Sequence, residues 1–169
     1  MHPPGTHTQS MVTPATGALQ LALRQGDAWL YVDPAGPTCA LSAQEIDFAL
    51  RNPNNEPLKG AIAALAAGQT DKAAVLRVLQ ADGPLLLAAD DRTVPGQIGV
   101  RSIAMPDGSS ALIGCTSAPE IVAFNPSDAV AALTTAQVLE KVRQDRYGGI
   151  VVNPAGPSVA FSLAEIGAR

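Results

Sequence analysis

The sequence predicts an α/β fold, a small mixed sheet packed by helices, with one domain preceded by a half-repeat of itself. Three observations carry that expectation. Apolar residues recur at helical spacing in some segments and in short strand-like runs in others, and the two kinds alternate along the chain. The phrase "YVDPAGP" at Tyr31–Pro37 returns as "VVNPAGP" at Val151–Pro157. Apolar residues make up 47% of the 169, charged residues 15% and aromatics 4%, which implies a globular core of Leu, Val and Ile.

The elements follow in order. Residues 1–15, with prolines, histidines and hydroxyl side chains, read as a mobile tail. A half-unit spans 16–50: a helix through Leu19 and Leu23 stopped at Gly26, the strand "AWLYV", the turn "DPAGP", the strand "TCAL" and a second helix. In the turn, proline fixes φ at one corner and glycine takes a positive φ. Ser42 and Glu45 form a capping box for the second helix.

"RNPNNEP" is a linker, and a complete domain follows over 52–169. Leu58, Ile62 and Leu65 mark one helix up to Gly68. Val75, Leu76 and Leu79 mark the next, which starts at Thr70 or Asp71 and ends at Asp82-Gly83. "PLLLAAD" is a strand buried on both faces. "GQIGVRSIAM" and "SALIGCT" flank Pro106-Asp107-Gly108 as a hairpin. Ser117 and Glu120 are expected to form a capping box, with Pro119 in the first turn. Thr134 and Gln137 cap the helix that buries Val138, Leu139 and Val142. "IVVNPAGPSVAFS" then gives strand, turn and strand, and Ser162 with Glu165 caps a last helix.

The two phrases keep register well beyond themselves. Val32, Pro34, Ala35, Gly36, Pro37, Ala40, Ser42, Glu45 and Ile46 align with identical residues from Val152 to Ile166. The repeated unit is helix, strand, turn, strand, capped helix, so Gly26–Ile46 is expected to share its backbone with Arg146–Ile166. The half-unit's apolar positions need a cover. Docking on the complete domain of the same chain is expected in preference to exchange between two chains, so the chain is a monomer or a swapped homodimer.

The order "NPNNEPLKGAIAAL", "GPLLLAAD", "LIGCTSAPEIVAF" and "YGGIVVNPAGPSVAFSLAEI" resembles the N-terminal domain family of SseB, the enhanced serine sensitivity protein. Asn54 or Asn55, Leu58, Leu85–Leu87, Cys115-Thr116-Ser117 and Gly149–Gly156 occupy the family's motif positions, over roughly 52–166. Cys115 stands where the pattern usually has Phe. The resemblance implies a compact α/β domain, an accessory or regulatory module, and no catalytic site to carry over.

The chemistry of the residues points the same way. A net charge of −4 argues against a nucleic-acid partner. No apolar run approaches the ~20 residues of a membrane helix, and the opening residues do not read as a secretory leader. With two cysteines in no disulfide or zinc spacing, the expected setting is the reducing cytoplasm of a bacterium. No cofactor and no metal are expected.

Cys115, at a strand end before a capped helix, is the reactive-thiol candidate, since a helix N-terminus favours thiolate. A cysteine nucleophile needs a base, and the two histidines, His2 and His7, lie in the tail. A small buried apolar residue is the simpler role. Asp90 and Asp91, with Asp128 or Asp107 approaching, are the candidates for metal or ligand sensing.

Trp29, Pro34, Gly36, Pro154 and Gly156 are the candidates for contact with another protein, at exposed strand and turn positions. The leading expectation is a non-enzymatic interaction or regulatory module, accessory to a secretion or toxin-related system. An enzyme using Cys115 and a sensing module using Asp90 and Asp91 are the alternatives.

Overall fold

The computed structural model describes residues 12–32, 36, 38–94 and 97–167, without the side chains of 91–94, 97 and 98. The chain divides into two compact units at Arg51/Asn52.

The first unit holds α1 (Ala15–Gln25), β1 (Trp29–Val32), β2 (Cys39–Ser42) and α2 (Ala43–Arg51). The first helix thus takes in Ala15, which the sequence reading left in the tail. Gly26 ends α1 in the left-handed region at φ 73°, which glycine adopts without a Cβ penalty. The two strands pair antiparallel from Trp29↔Ser42 to Val32↔Cys39. Ser42 and Glu45 form the expected reciprocal cap: Glu45 accepts from the Ser42 N–H at 2.7 Å, and Ser42 Oγ from the Glu45 N–H at 3.3 Å.

The second unit is built on one mixed sheet. Its elements are α3 (Glu56–Ala66), α4 (Lys72–Gln80), β3 (Pro84–Val94), β4 (Gln97–Val100), β5 (Ser102–Ala104), β6 (Ser110–Cys115), α5 (Ala118–Phe124), β7 (Ala129–Thr134), α6 (Thr135–Gln144), β8 (Gly149–Val152), β9 (Val159–Ser162) and α7 (Leu163–Gly167). The long strand β3 has β7 along one edge, Pro84↔Thr134 through Ala89↔Ala129. Along the other edge it pairs first with β6, at Leu86↔Cys115, and then with β4, at Ala89↔Val100. β3 and β6 therefore fork, and the β4–β5 ribbon fills the fork. Arg101, between β4 and β5, closes the gap: its N–H donates to the Ala88 carbonyl at 2.9 Å and its carbonyl accepts from Ile113 at 3.1 Å. β8 lies parallel to β6, and β9 returns antiparallel at the sheet edge.

The expected "PLLLAAD" strand is the start of β3, where Leu85–Ala89 are all buried, as a strand covered on both faces should be. On one face Leu85, Leu87, Leu112, Ile150, Val152 and Phe161 join Leu58, Ile62, Val75, Leu79, Val138 and Val142 of the helices in a single core. Leu86, Ile113 and Cys115, one position out of phase, point to the opposite face, and α5 contributes the buried Ala118 and Ile121.

One local expectation is corrected. Ser117 precedes α5 as its cap residue but makes no capping bond, and its hydroxyl is buried without a hydrogen-bond partner among the described residues. Glu120, the other half of the expected box, pairs instead with Lys59 at 3.1 Å. In the second turn Asn153 takes a positive φ, at 55°. Asparagine tolerates that region because its short carboxamide can bond locally.

Positions 120 residues apart correspond along the paired strands of the two hairpins. Trp29↔Ser42 has its counterpart in Gly149↔Ser162, and Val32↔Cys39 in Val152↔Val159. The bond from the Asp27 N–H to the Ala22 carbonyl has its counterpart from Tyr147 to Val142, and that from Ala43 to Ala28 from Leu163 to Gly148. The surroundings differ. At Gly149 a Cβ would run into the Phe161 carbonyl, so glycine alone fits there, whereas position 29 carries an indole.

Candidate functional site

The family-like motif positions converge on one buried junction at the ends of β6 and β8. Asn55 starts α3, and its carboxamide oxygen accepts from the Leu58 N–H at 3.1 Å. The same side chain donates to the Pro84 carbonyl at 2.9 Å, and its backbone N–H donates to the Thr116 carbonyl at 2.9 Å. Thr116 donates its own N–H to Asn153 Oδ1 at 2.9 Å, and Asn153 Nδ2 donates to Thr116 Oγ1, also at 2.9 Å. All three residues are buried. Of the two asparagines the sequence offered, Asn55 is the one at this junction. The bonds named here are all internal, so the junction fixes three chain segments to one another.

Cys115 lies one residue before this junction and has no exposed surface. Burial pushes its thiol up to about 12, and the neighbouring Glu120 charge adds to the rise. Position before a helix does not activate it: α5 has seven residues, and desolvation outweighs any contribution from its end. This thiol stays protonated at neutral pH and acts as an apolar side chain against Leu86, its cross-strand partner.

Of the acidic candidates, Asp90 and Asp128 do come together, but around a guanidinium. Arg101 Nε donates to both Asp128 oxygens, at 3.1 and 3.0 Å, and Nη2 reaches Asp128 at 2.7 Å and Asp90 at 2.9 Å. Asn125 Nδ2 adds a bond to Asp128 at 2.8 Å. The Asp128 bonds, then the neighbouring charges, raise Arg101 above its ordinary value. The cation a carboxylate pair needs is therefore supplied by the chain itself, and no group of three metal-binding side chains occurs among the described residues. The Asp91 side chain lies outside the described residues. Asp107 is engaged with Ser109 in the β5–β6 turn, at 2.6 Å from its hydroxyl. Arg101 carried no signal in the sequence, because its two carboxylates are distant in the chain and meet only through the fork.

The contact candidates fall in different settings. Pro154 is half-buried and Gly156 exposed in the second turn, Gly36 is exposed in the first, and Pro34 lies outside the described residues. Trp29 is 54% exposed, and in the same strand Tyr31 is 60% and Val32 42% exposed. Tyr31 was not singled out from the sequence. Its signal was the strand's alternation, which puts it on the same face as Trp29, while Leu30 sits half-buried on the other. At the equivalent positions Gly149 and Val152 are buried and Val151 is half-buried.

A mixed β-sheet with helices on it, pinned by an Asn–Thr–Asn junction at the strand ends, defines an α/β domain whose sequence motifs serve its architecture. Residues 58–168 match the model of the SseB protein N-terminal domain, and the chain belongs to that family. No curated protein and no solved structure matches the chain. No helix among the described residues is long and apolar enough to cross a membrane.

Proposed function

We propose that the chain is a protein-interaction module of regulatory character, accessory to a secretion- or toxin-related system in the bacterial cytoplasm, and that it works through the hairpin face of its first unit. In this reading residues 16–50 are a shortened duplicate of the segment ending at Ile166, freed to present its strands outward. The observation that carries it is the grouping of Trp29, Tyr31 and Val32 as exposed large apolar side chains of one four-residue strand. Tryptophan and tyrosine are enriched among residues that anchor interfaces, because each buries a large rigid surface at little entropic cost. Among the described residues, the buried Cys115 thiol and the Arg101-bridged Asp90 and Asp128 carboxylates lend no geometry to the enzyme or metal-sensing readings.

The test is cross-linking in extracts of the native host, comparing the whole chain with Trp29→Ser and Tyr31→Ser variants. Proteins cross-linked to the wild type and lost from both variants support the reading. An identical set for all three chains rejects it.

A further inference from the structure

We infer that the open edge of β1 pairs with β1 of a second copy, joining two hairpins into one four-stranded sheet. The inference rests on the reading of the hairpin face as a contact surface and names its occupant. Within the described residues the first unit has a two-stranded sheet of its own, and such a sheet is marginal in water. Among its described residues only Ala22 and Ile46 are buried.

The edge that needs cover is identified by the equivalence of the hairpins. The counterpart of β2 is β9, which ends the sheet in the second unit, whereas the counterpart of β1 is β8, whose matching edge is paired with β6. Among the described residues β1 therefore has no partner on the edge that its duplicate has covered. Its sequence "WLYV" carries neither a charge nor a proline, two of the devices that protect natural edges.

The backbone fixes which groups are offered. The Ala43 N–H donates to the Ala28 carbonyl, so positions 28, 30 and 32 turn their polar groups toward β2. By the two-residue period, Trp29 and Tyr31 turn theirs to the open edge. A two-fold axis perpendicular to the sheet at Leu30 then satisfies all of them. Trp29 faces Tyr31 of the second copy and Tyr31 faces its Trp29, each pair able to exchange both N–H···O bonds, with Leu30 against Leu30 on the axis. The contact is self-complementary, as a two-fold interface requires. It places two Trp–Tyr cross-strand pairs on the exposed face, an arrangement that adds stability beyond area alone. An axis between Leu30 and Tyr31 is excluded, because it would pair residues on opposite faces.

The experiment is sedimentation equilibrium of the whole chain over a wide concentration range, with the emission of Trp29, the sole tryptophan, followed alongside. A concentration-dependent monomer–dimer equilibrium with blue-shifted emission in the dimer is expected. Tyr31→Pro removes an outward N–H that β2 does not use, and Tyr31→Lys places a charge on the edge while keeping the N–H. Each should weaken dimerisation at least tenfold with far-UV circular dichroism unchanged. A monomer at all concentrations overturns the inference, whether Trp29 is exposed or shielded, the second case meaning that another part of the same chain covers the edge. A dimer that both variants leave intact overturns it as well. Host cross-links lost on Trp29→Ser in a chain that stays monomeric would sink the dimer and keep the interaction module.

Discussion

Asn153 and Thr116, thirty-seven residues apart, share three hydrogen bonds in a buried setting: the Thr116 N–H donates to Asn153 Oδ1 at 2.9 Å, the Thr116 hydroxyl to the same oxygen at 3.3 Å, and Asn153 Nδ2 to Thr116 Oγ1 at 2.9 Å. Asn153 makes these bonds from φ 55°, where most side chains are strained. Asn153→Ala removes the carboxamide and keeps the strain, leaving the Thr116 N–H unpaired. A loss of about 2–4 kcal/mol is expected in urea unfolding. Asn153→Gly relieves the backbone but not the polar group and should cost less. Equal losses for the two would mean that the backbone conformation carries no part of the effect.

Cys115 should behave as a core residue toward reagents and toward substitution. Ellman's reagent near neutral pH is expected to titrate one thiol in the native chain, the exposed Cys39, and two after unfolding. Cys115→Ser puts a hydroxyl in an apolar site and should destabilise by about 1–3 kcal/mol. Because folding raises this thiol from 9.0 to about 12, the unfolded chain releases its proton first, and stability should fall as pH rises between those values. Rapid labelling of Cys115 in the folded chain would return it to the list of reactive groups.

How much of this was legible in the sequence depended on how local the cause is. The hairpins and the Ser42, Thr134 and Ser162 capping boxes were legible because side chain and backbone lie within three residues of each other. β7 was not: "AVAALT" has a weak strand pattern and becomes a strand by pairing with β3, some forty-five residues earlier. The positive φ of Asn153 in the second turn carried no signal of its own, because its bonds to Thr116 reach thirty-seven residues back in the chain. Ser117 and Glu120 have capping-box spacing, but Lys59 from another helix takes the carboxylate. The Asn55–Thr116–Asn153 junction could be located through the motif positions, although its geometry could not be derived from them.

The Arg101 bridge makes a prediction about metals and another about shape. With the guanidinium between Asp90 and Asp128, millimolar calcium or magnesium should leave the melting temperature of the wild type unchanged. Arg101→Ala leaves the wholly covered Asp128 side chain without its cation and should lower the urea midpoint. Arg101→Lys should recover only part of that, since an ammonium cannot reproduce the two-pronged contact. Full recovery by lysine would show that charge alone, without the fork geometry, holds β4–β5 in place.

The two equivalent capping boxes offer a comparison within one molecule. Glu165 accepts from the Ser162 N–H at 2.8 Å, as Glu45 does from Ser42 at 2.7 Å. Glu165 also takes Lys72 Nζ at 2.6 Å, and that ammonium stands 5.2 Å from the centre of the Phe161 ring. The Lys72 bond, followed by the Ser162 N–H, lowers the Glu165 carboxyl to about 2, and Ser42 lowers Glu45 without such a cation. A carboxyl depressed by folding stabilises the native state above its ordinary value of 4.5 and gives that contribution up as pH falls toward 2. Carboxyl carbon titrations by nuclear magnetic resonance should therefore place Glu165 below Glu45. Lys72→Met should move Glu165 up toward Glu45 and leave Glu45 where it is. Glu165→Gln should flatten the acid side of the stability profile of the second unit between pH 4.5 and 2, a window set by the shift itself. If Glu165 and Glu45 titrate together in the wild type, the Lys72 bond is absent in solution, and the cap alone accounts for both carboxyls.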